Sequence, residues 1–197
     1  YRKGNGAAVK TGLRNAKGRI VILLDGDGQH DPRNIPDLLR HAENYELVVG
    51  SRTGSRVQSW PRRLANLFFN WLASYGSGQK IMDLTSGFRV ARREAIVRFL
   101  PLFPNGFSSP ATSTLAFIRS GLSVKFVPIT MRNRRGRSKI HPFRDGLRFF
   151  LIVLKITVFF SPLRVFTPVS LFFLSLGISH ALYKILILQM RYTSLSI

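Results

Sequence analysis

The chain has 197 residues, 45% of them hydrophobic, and a formal net charge of +21 from 30 Lys+Arg against 9 Asp+Glu. That length supports one soluble domain with a further segment left over, and the charge demands an anionic partner: nucleic acid, anionic lipid headgroups or a phosphorylated substrate. With no cysteine, disulfides and thiolate metal sites are excluded.

In chain order, Gly4-Asn5-Gly6 leads into a short predicted helix over 7–16, closed by Lys17-Gly18. Backbone amides at such a glycine-rich start suit an anion; a plain helix start is the competing reading, because neither P-loop nor dinucleotide spacing is present. A buried strand is predicted over 19–24, and it delivers Asp25 and Asp27 into a turn with Gly26 and Gly28. Strand side chains alternate, so the two carboxylates emerge on one side, and the glycines leave room for the backbone to bend. Hard cations such as Mg2+ or Mn2+ take oxygen ligands, often one or two carboxylates plus substrate phosphates. The plain alternative is an Asp/Gly turn. An EF-hand loop is excluded, because Gln29 and Pro36 occupy its fifth and twelfth positions. An Asp-nucleophile phosphatase stays open as a rival, although Gln29 stands where it would carry Thr or Ser.

Asp31 before Pro32 is a helix N-cap rather than a metal ligand, with Ile35, Leu38, Leu39 and Ala42 as the apolar face. A second strand over 46–52 ends in Arg52. This strand, helix, strand succession predicts an α/β sheet with ligands at the strand carboxyl ends, which aims Arg52 at the same edge as Asp25 and Asp27. Pro61 opens a helix to Tyr75, with Arg62, Asn66 and Asn70 on one face and Leu64, Leu67, Phe68, Trp71 and Leu72 on another. Asp83 to Val90 follows a Gly/Ser break, then helices over 92–100 and 108–121 and a strand over 124–129.

The densest basic run, residues 132–139, contains Arg135, Ser138 and Lys139. Its arginines, hydroxyl and ammonium suit phosphate, although such runs are often nucleic-acid or membrane tails. Beyond it, Phe143, Leu147, Phe150, Leu151, Leu154 and Val158 keep helical spacing, with Arg144, Arg148 and Lys155 opposite; this is the pattern of a basic amphipathic helix in a membrane interface. From Val165 to Tyr183 there is no charged residue. At ~1.5 Å per residue this stretch approaches the hydrocarbon thickness of a bilayer. A buried helix of a larger soluble protein is the alternative. Arg144, Arg148, Lys155 and Arg164 outnumber Lys184 and Arg191, so the preceding part is expected on the cytoplasmic side.

Five segments fall into one order: Gly4-Asn5-Gly6-Ala7-Ala8-Val9; Asp25-Gly26-Asp27-Gly28-Gln29-His30 with Pro32; Gly50-Ser51-Arg52; Asp83 with Ser86-Gly87-Phe88-Arg89; and Arg135-Gly136-Arg137-Ser138-Lys139-Ile140. In these the chain resembles the family 2 glycosyltransferases that charge a polyprenyl phosphate, the dolichyl-phosphate mannosyltransferase and undecaprenyl-phosphate sugar transferase group. The resemblance implies an α/β GT-A domain, Rossmann-like with a mixed sheet, over 1–141. An amphipathic juxtamembrane helix over 142–162, a transmembrane helix over 163–190 and a loop over 191–197 towards a second span would follow.

It also implies a nucleotide-sugar donor (GDP- or UDP-sugar), a polyprenyl phosphate acceptor, Mg2+ or Mn2+, and a cell membrane location, the bacterial inner membrane, with the catalytic domain cytoplasmic. No nucleic acid is implied, and a homo-oligomer stays open. Carried over by position, Asp25, Asp27 and Gln29 are expected at the metal, with Asp27 and Arg52 catalytic. Arg135, Ser138 and Lys139 would bind the donor diphosphate. Arg52, Arg62 and Asn66 would bind the acceptor phosphate, Asn66 standing where the family often has a small hydroxyl residue. Asp83, Arg89, Gly4 and Asn5 are further candidates. The family's opening strand, its nucleotide-binding acid and a second span have no counterpart, so a fragment truncated at both ends, inactive by itself, is expected. A phosphomonoester acceptor is already anionic near neutrality, its second pKa being ~6, so inverting transfer needs no general base. The competing class, a basic nucleic-acid-binding protein, gives the paired acids and the apolar tail no role.

Overall fold

The computed structural model describes residues 4–52, 60–106, 108–131 and 142–194. Runs rich in Ile, Val and Leu form three strands, Ile20–Leu23 (β1), Leu47–Ser51 (β2) and Val124–Pro128 (β4), as β-branched residues favour. A fourth, Arg89–Arg92 (β3), lies where no strand is expected, and the helix predicted from residue 92 is shorter, Arg93–Arg98 (α4). The sheet order is β1-β3-β2-β4, with β3 antiparallel to both neighbours and β2 parallel to β4. This is the mixed sheet that the resemblance implies. Because β3 runs against the others, its beginning lies at the same sheet edge as the ends of β1, β2 and β4. The acidic turn, Arg52 and the Asp83–Phe88 segment therefore converge on that edge.

Side chains alternate across the sheet. Leu47, Val49 and Ala91 pack with Leu13, Ala95, Ile96 and Phe117 on one face, while Val48 and Val90 pack with Leu38, Ala42 and Phe88 on the other. The first face is covered by Asn5–Asn15 (α1), α4 and Ser109–Arg119 (α5), the second by Ile35–His41 (α2). Asp31 caps as expected, its Oδ1 accepting from Arg33 N at 3.1 Å, although the first turn, Pro32–Asn34, is 3-10. The strand ahead of the acids is not buried throughout: Val21 is, but Ile22 and, just past the strand, Leu24 are exposed.

In two helices the packing shows which face turns inward, a point that periodicity leaves open. In Trp60–Ser77 (α3) Leu64, Leu67, Phe68 and Trp71 are exposed. Asn70 instead turns inward, donating to Met82 O (2.8 Å) and accepting from Leu84 N (2.9 Å). Pro142–Phe160 (α6) packs Phe149 and Val153 against Ala73, Ala111 and Leu115, and the Phe149 and Phe69 rings meet edge-on at 4.5 Å. It belongs to the compact unit 1–160, while Leu147 and Leu151 from its predicted lipid-facing stripe remain exposed. Residues 161–197 form a second unit, the helix Pro162–Ser194 (α7), which continues through residues where a loop from 191 is expected. Its Pro162–Ile187 stretch is 26 residues long with a mean hydropathy of 1.7 in its most apolar window. At ~1.5 Å per residue that exceeds the ~30 Å of a bilayer core.

Candidate active site

β1 ends two residues before Asp25, and the chain turns back through Gly28, whose φ of 74° suits glycine. Asp27 Oδ1 accepts from Gln29 N at 3.2 Å, a local bond that closes the turn. The Asp25 side chain is 49% exposed, with His30 Nε2 3.8 Å from its Oδ2. Its carboxylate lies directly over Gly87, where a Cβ would come within 2.0 Å of Oδ2. The nearby His30 imidazole is the main cause holding the Asp25 carboxyl below its ordinary value; burial opposes this, and the charges of Arg89 and Arg52 add to it. Behind the turn the His30 ring sits 5.3 Å from that of Phe88, and His30 bridges to Met131.

Arg52, one residue past β2, is gripped by Asp83. Its Nε donates to Oδ2 and its Nη2 to Oδ1, both at 2.7 Å, and its backbone N donates to Oδ2 at 3.0 Å; Nη2 also donates to Thr85 Oγ1. The two side chains are 18% and 8% exposed. Burial alone would raise the Asp83 pKa, but the hydrogen bonds and charge of Arg52 outweigh it and the net direction is down. A bidentate pair of this kind fixes the guanidinium in both position and plane. Arg52 and Asp25 feel each other's charge, and both rest on the one segment from Asp83 to Phe88, at its Asp83 and Gly87 positions.

The segment between Asp83 and Arg89 ties these parts together. Ser86 Oγ donates to Gly50 O at 2.6 Å and Gly50 N to Phe88 O at 2.9 Å, and Asn70 holds its start from α3. Arg89, a candidate for ligand contact, is instead 1% exposed and turned into the protein, because its guanidinium satisfies buried oxygens of this turn and of α5.

Among the expected site residues, Asp25, Asp27, Arg52 and Asp83 gather at the sheet edge, with Arg89 behind them. Asn66 stands one turn before Asn70 on the α3 face that meets residues 82–84. Arg62 lies in α3, but its side chain, like Arg135, Ser138 and Lys139, lies outside the described residues. The anion site expected at Gly4 and Asn5 meets a helix start already bonded: Gly6 N donates to Gly106 O (2.8 Å) and Ala7 N to Asn105 O (2.9 Å). Sequence reasoning gave no role to Thr85, Gly87, Ser113 or Thr114. The one available signal was the absence of a side chain at residue 87, inside the motif running from Ser86 to Arg89.

Two carboxylates on a turn fit Mg2+ or Mn2+, which leave further positions to water and substrate phosphates. Among the described residues no three or more His, Cys, Asp or Glu side chains form a metal cluster. The bare Gly87 beneath Asp25 leaves space for the carboxylate that any side chain would fill.

The family model for glycosyl transferase family 2 matches residues 1–100. An undecaprenyl-phosphate 4-deoxy-4-formamido-L-arabinose transferase of Pseudomonas fluorescens (strain Pf0-1) is 30% identical over 189 residues, covering 90% of this chain and 51% of the relative. A dolichyl-phosphate hexose transferase of Haloferax volcanii is 28% identical, covering 78% of this chain and 68% of the relative. Among solved structures, glucosyl-3-phosphoglycerate synthase from Mycobacterium tuberculosis with Mn2+ and uridine-diphosphate-glucose superposes with a TM-score of 0.56 at 23% identity, covering 78% of this chain and 54% of that one. Its phosphoglyceric acid complex gives a TM-score of 0.57 at 24% identity. These likenesses show the GT-A fold. The chain spans about half the length of the Pseudomonas relative and of the mycobacterial enzyme.

Proposed function

The chain belongs to glycosyl transferase family 2, and we propose that it transfers a sugar from a nucleotide-sugar to a polyprenyl phosphate, with inversion, at the cytoplasmic face of a cell membrane. One observation carries this reading: Arg52, locked by Asp83, and the carboxylate of Asp25, seated on Gly87, lean on the same short turn at one edge of the sheet. An acid for a cation and an arginine for a phosphate are thereby brought together. The names of the Pseudomonas and Haloferax relatives, each a transferase to a lipid phosphate, support the acceptor class, and the mycobacterial complex with Mn2+ and a UDP-sugar supports the donor and the cation.

Asp25 and Asp27, with Gln29 beside them, would hold Mg2+ or Mn2+, which when bound neutralises charge on the departing nucleoside diphosphate. Asp27 and Arg52 are the residues closest to the chemistry. Arg52, with Arg62 and Asn66 from α3, orients the acceptor phosphate; its Asp83 grip means the guanidinium is pre-set and needs no ordering when the lipid arrives. Arg135, Ser138 and Lys139 bind the donor diphosphate, and the chain leads to them from Met131, which bridges to His30 beside the acids. No side chain need remove a proton, because the acceptor phosphate carries its charge already, its second pKa being ~6.

The membrane assignment rests on α7 as the span, in the region 163–190, and on residues 142–162 as the interfacial helix. The exposed Leu67, Phe68 and Trp71 of α3 and Leu147 and Leu151 of α6 support a catalytic domain lying against lipid. The test is to supply the full-length enzyme in nanodiscs with radiolabelled UDP- and GDP-sugars and a polyprenyl phosphate, then extract with organic solvent. Labelled lipid that disappears in Asp27→Asn is expected. Label that persists in Asp27→Asn, or no labelled lipid with any donor, overturns the reading.

A further inference from the structure

Arg89 binds neither substrate in this scheme, yet it is among the most costly side chains to bury. It is 1% exposed, and its hydrogen bonds to the described residues go to neutral oxygens. Nε donates to Ser86 O (2.7 Å), Nη2 to Leu84 O (3.1 Å), and Nη1 to Ser113 Oγ (2.9 Å) and Thr114 Oγ1 (2.7 Å). Burial pushes its pKa down to about 9 while Asp83 and Asp25 pull the other way, so the guanidinium keeps its charge at neutral pH. A methionine would fill the same space without that desolvation cost. What methionine could not do is hold two carbonyls of one turn and two hydroxyls of a helix with a single planar fork.

We propose that Arg89 is a positioning residue, which locks the turn from Asp83 to Phe88 against α5 and thereby sets the spacing between the cation-binding carboxylates and the phosphate-binding arginine. Both halves of the site lean on this turn. Its first residues, Asp83 and Thr85, grip Arg52. Its Gly87 lies under the Asp25 carboxylate, and its Ser86 is fastened to Gly50 at the end of β2. Of the carbonyls Arg89 holds, Leu84 lies within the grip on Arg52 and Ser86 between that grip and Gly87, so a shift there moves the acid relative to the arginine. The anchor is firm, because Ser113 and Thr114 belong to α5, buried from Ala111 to Ile118.

The proposal rests on the reading of Asp25, Asp27 and Arg52 as one transfer centre, and the experiment separates the two. Arg89→Lys and the near-isosteric pair Ser113→Ala with Thr114→Val are made in the full-length enzyme in nanodiscs. Mn2+ affinity is measured by electron paramagnetic resonance without donor, kcat and both KM values at saturating Mn2+, and the thermal midpoint alongside. A lysine keeps the sign of the charge but cannot span four acceptors on two elements. Mn2+ affinity is therefore expected to fall about 10-fold or more, as when the support of a metal ligand is lost. The kcat should fall about 10²-fold, as for a misplaced reacting group, with KM values within about threefold because each substrate's own contacts remain. The double substitution, which leaves the guanidinium in place, shifts both readings the same way by less.

A purely structural role would lower the midpoint while the folded protein kept wild-type Mn2+ affinity and kcat, and that result overturns the proposal. If Arg89→Lys does not fold, the double variant decides alone. An unsubstituted chain that binds Mn2+ but transfers no sugar sinks the functional reading only, and the Mn2+ series still decides the positioning role. An unsubstituted chain without Mn2+ affinity overturns both.

Discussion

Gly87→Ala isolates the position of one carboxylate. The new Cβ would lie 2.0 Å from Asp25 Oδ2, 2.4 Å from its Cγ and 2.7 Å from Oδ1, whereas non-bonded contacts are comfortable at roughly 3.5 Å. The carboxylate must retreat by about 1–1.5 Å on that comparison. Gly87 is not among the residues with positive φ, so alanine meets no backbone penalty of its own. Asp25 is half exposed and can swing towards solvent, which keeps the stability cost near ~1 kcal/mol, an ordinary value for a tolerated substitution. Misplacing a reacting or ligating group by ~1 Å costs about 10²-fold, or ~2.7 kcal/mol of activation free energy. Sugar transfer into solvent-extractable lipid gives kcat/KM, and a thermal melt reports folding. Gly12→Ala, where nothing lies within 4 Å, is the control. Wild-type kcat/KM in a folded Gly87→Ala protein would refute the reasoning, because the site of Asp25 would then not matter.

Gly6→Ala should lower stability by about 1–3 kcal/mol, the usual cost of overpacking, because its Cβ would meet the backbone oxygen of Pro104 at 2.0 Å; chemical denaturation measures it. Asp83 has a depressed pKa when folded, so its contribution is present above its unfolded value of about 3.9 and is lost as pH falls through the lower, folded one. Asp83→Asn should therefore cost ~3–5 kcal/mol at pH 7, as for a broken buried pair, with the gap to wild type closing below about pH 4 in urea titrations. On a Trp60→Phe background, Trp71 fluorescence in nanodiscs should be quenched by spin-labelled lipid, since Trp71 is 63% exposed on α3; unquenched emission would remove α3 from the lipid surface.

The site was largely legible where local chemistry decides it. Asp25 and Asp27 announce themselves as acids at a glycine turn after an apolar strand, and Arg52 follows from strand polarity. What stayed hidden depended on contacts between distant segments. β3 was missed because its inward position 89 holds an arginine, and the oxygens that make this tolerable come from Leu84, Ser86 and α5. The two-faced pattern of α3 was visible, but periodicity does not say which face turns inward; Asn70 does, through its bonds to residues 82 and 84. Gly4-Asn5-Gly6 suggested an anion cradle, whereas the close approach of residues 104–106 is what the absent side chain at Gly6 permits. The stripe on α6 was visible as well, but its second apolar face, with Phe149 and Val153, was not separated from it.

The placement of β3 has a consequence for how the molecule comes into being. Ile20 pairs with Arg92 and Leu23 with Arg89, so the β1–β3 pairing waits until the chain has been synthesised past α3. Such distant pairing is slow, because the intervening loop must be closed before any bond is gained. Until then the side of β1 that β3 covers stays unpaired, a state prone to mispairing. The turn at Asp83 to Phe88 is made immediately before its strand, so the grip on Arg52 and the rest for Asp25 should arise in the same event that closes the sheet.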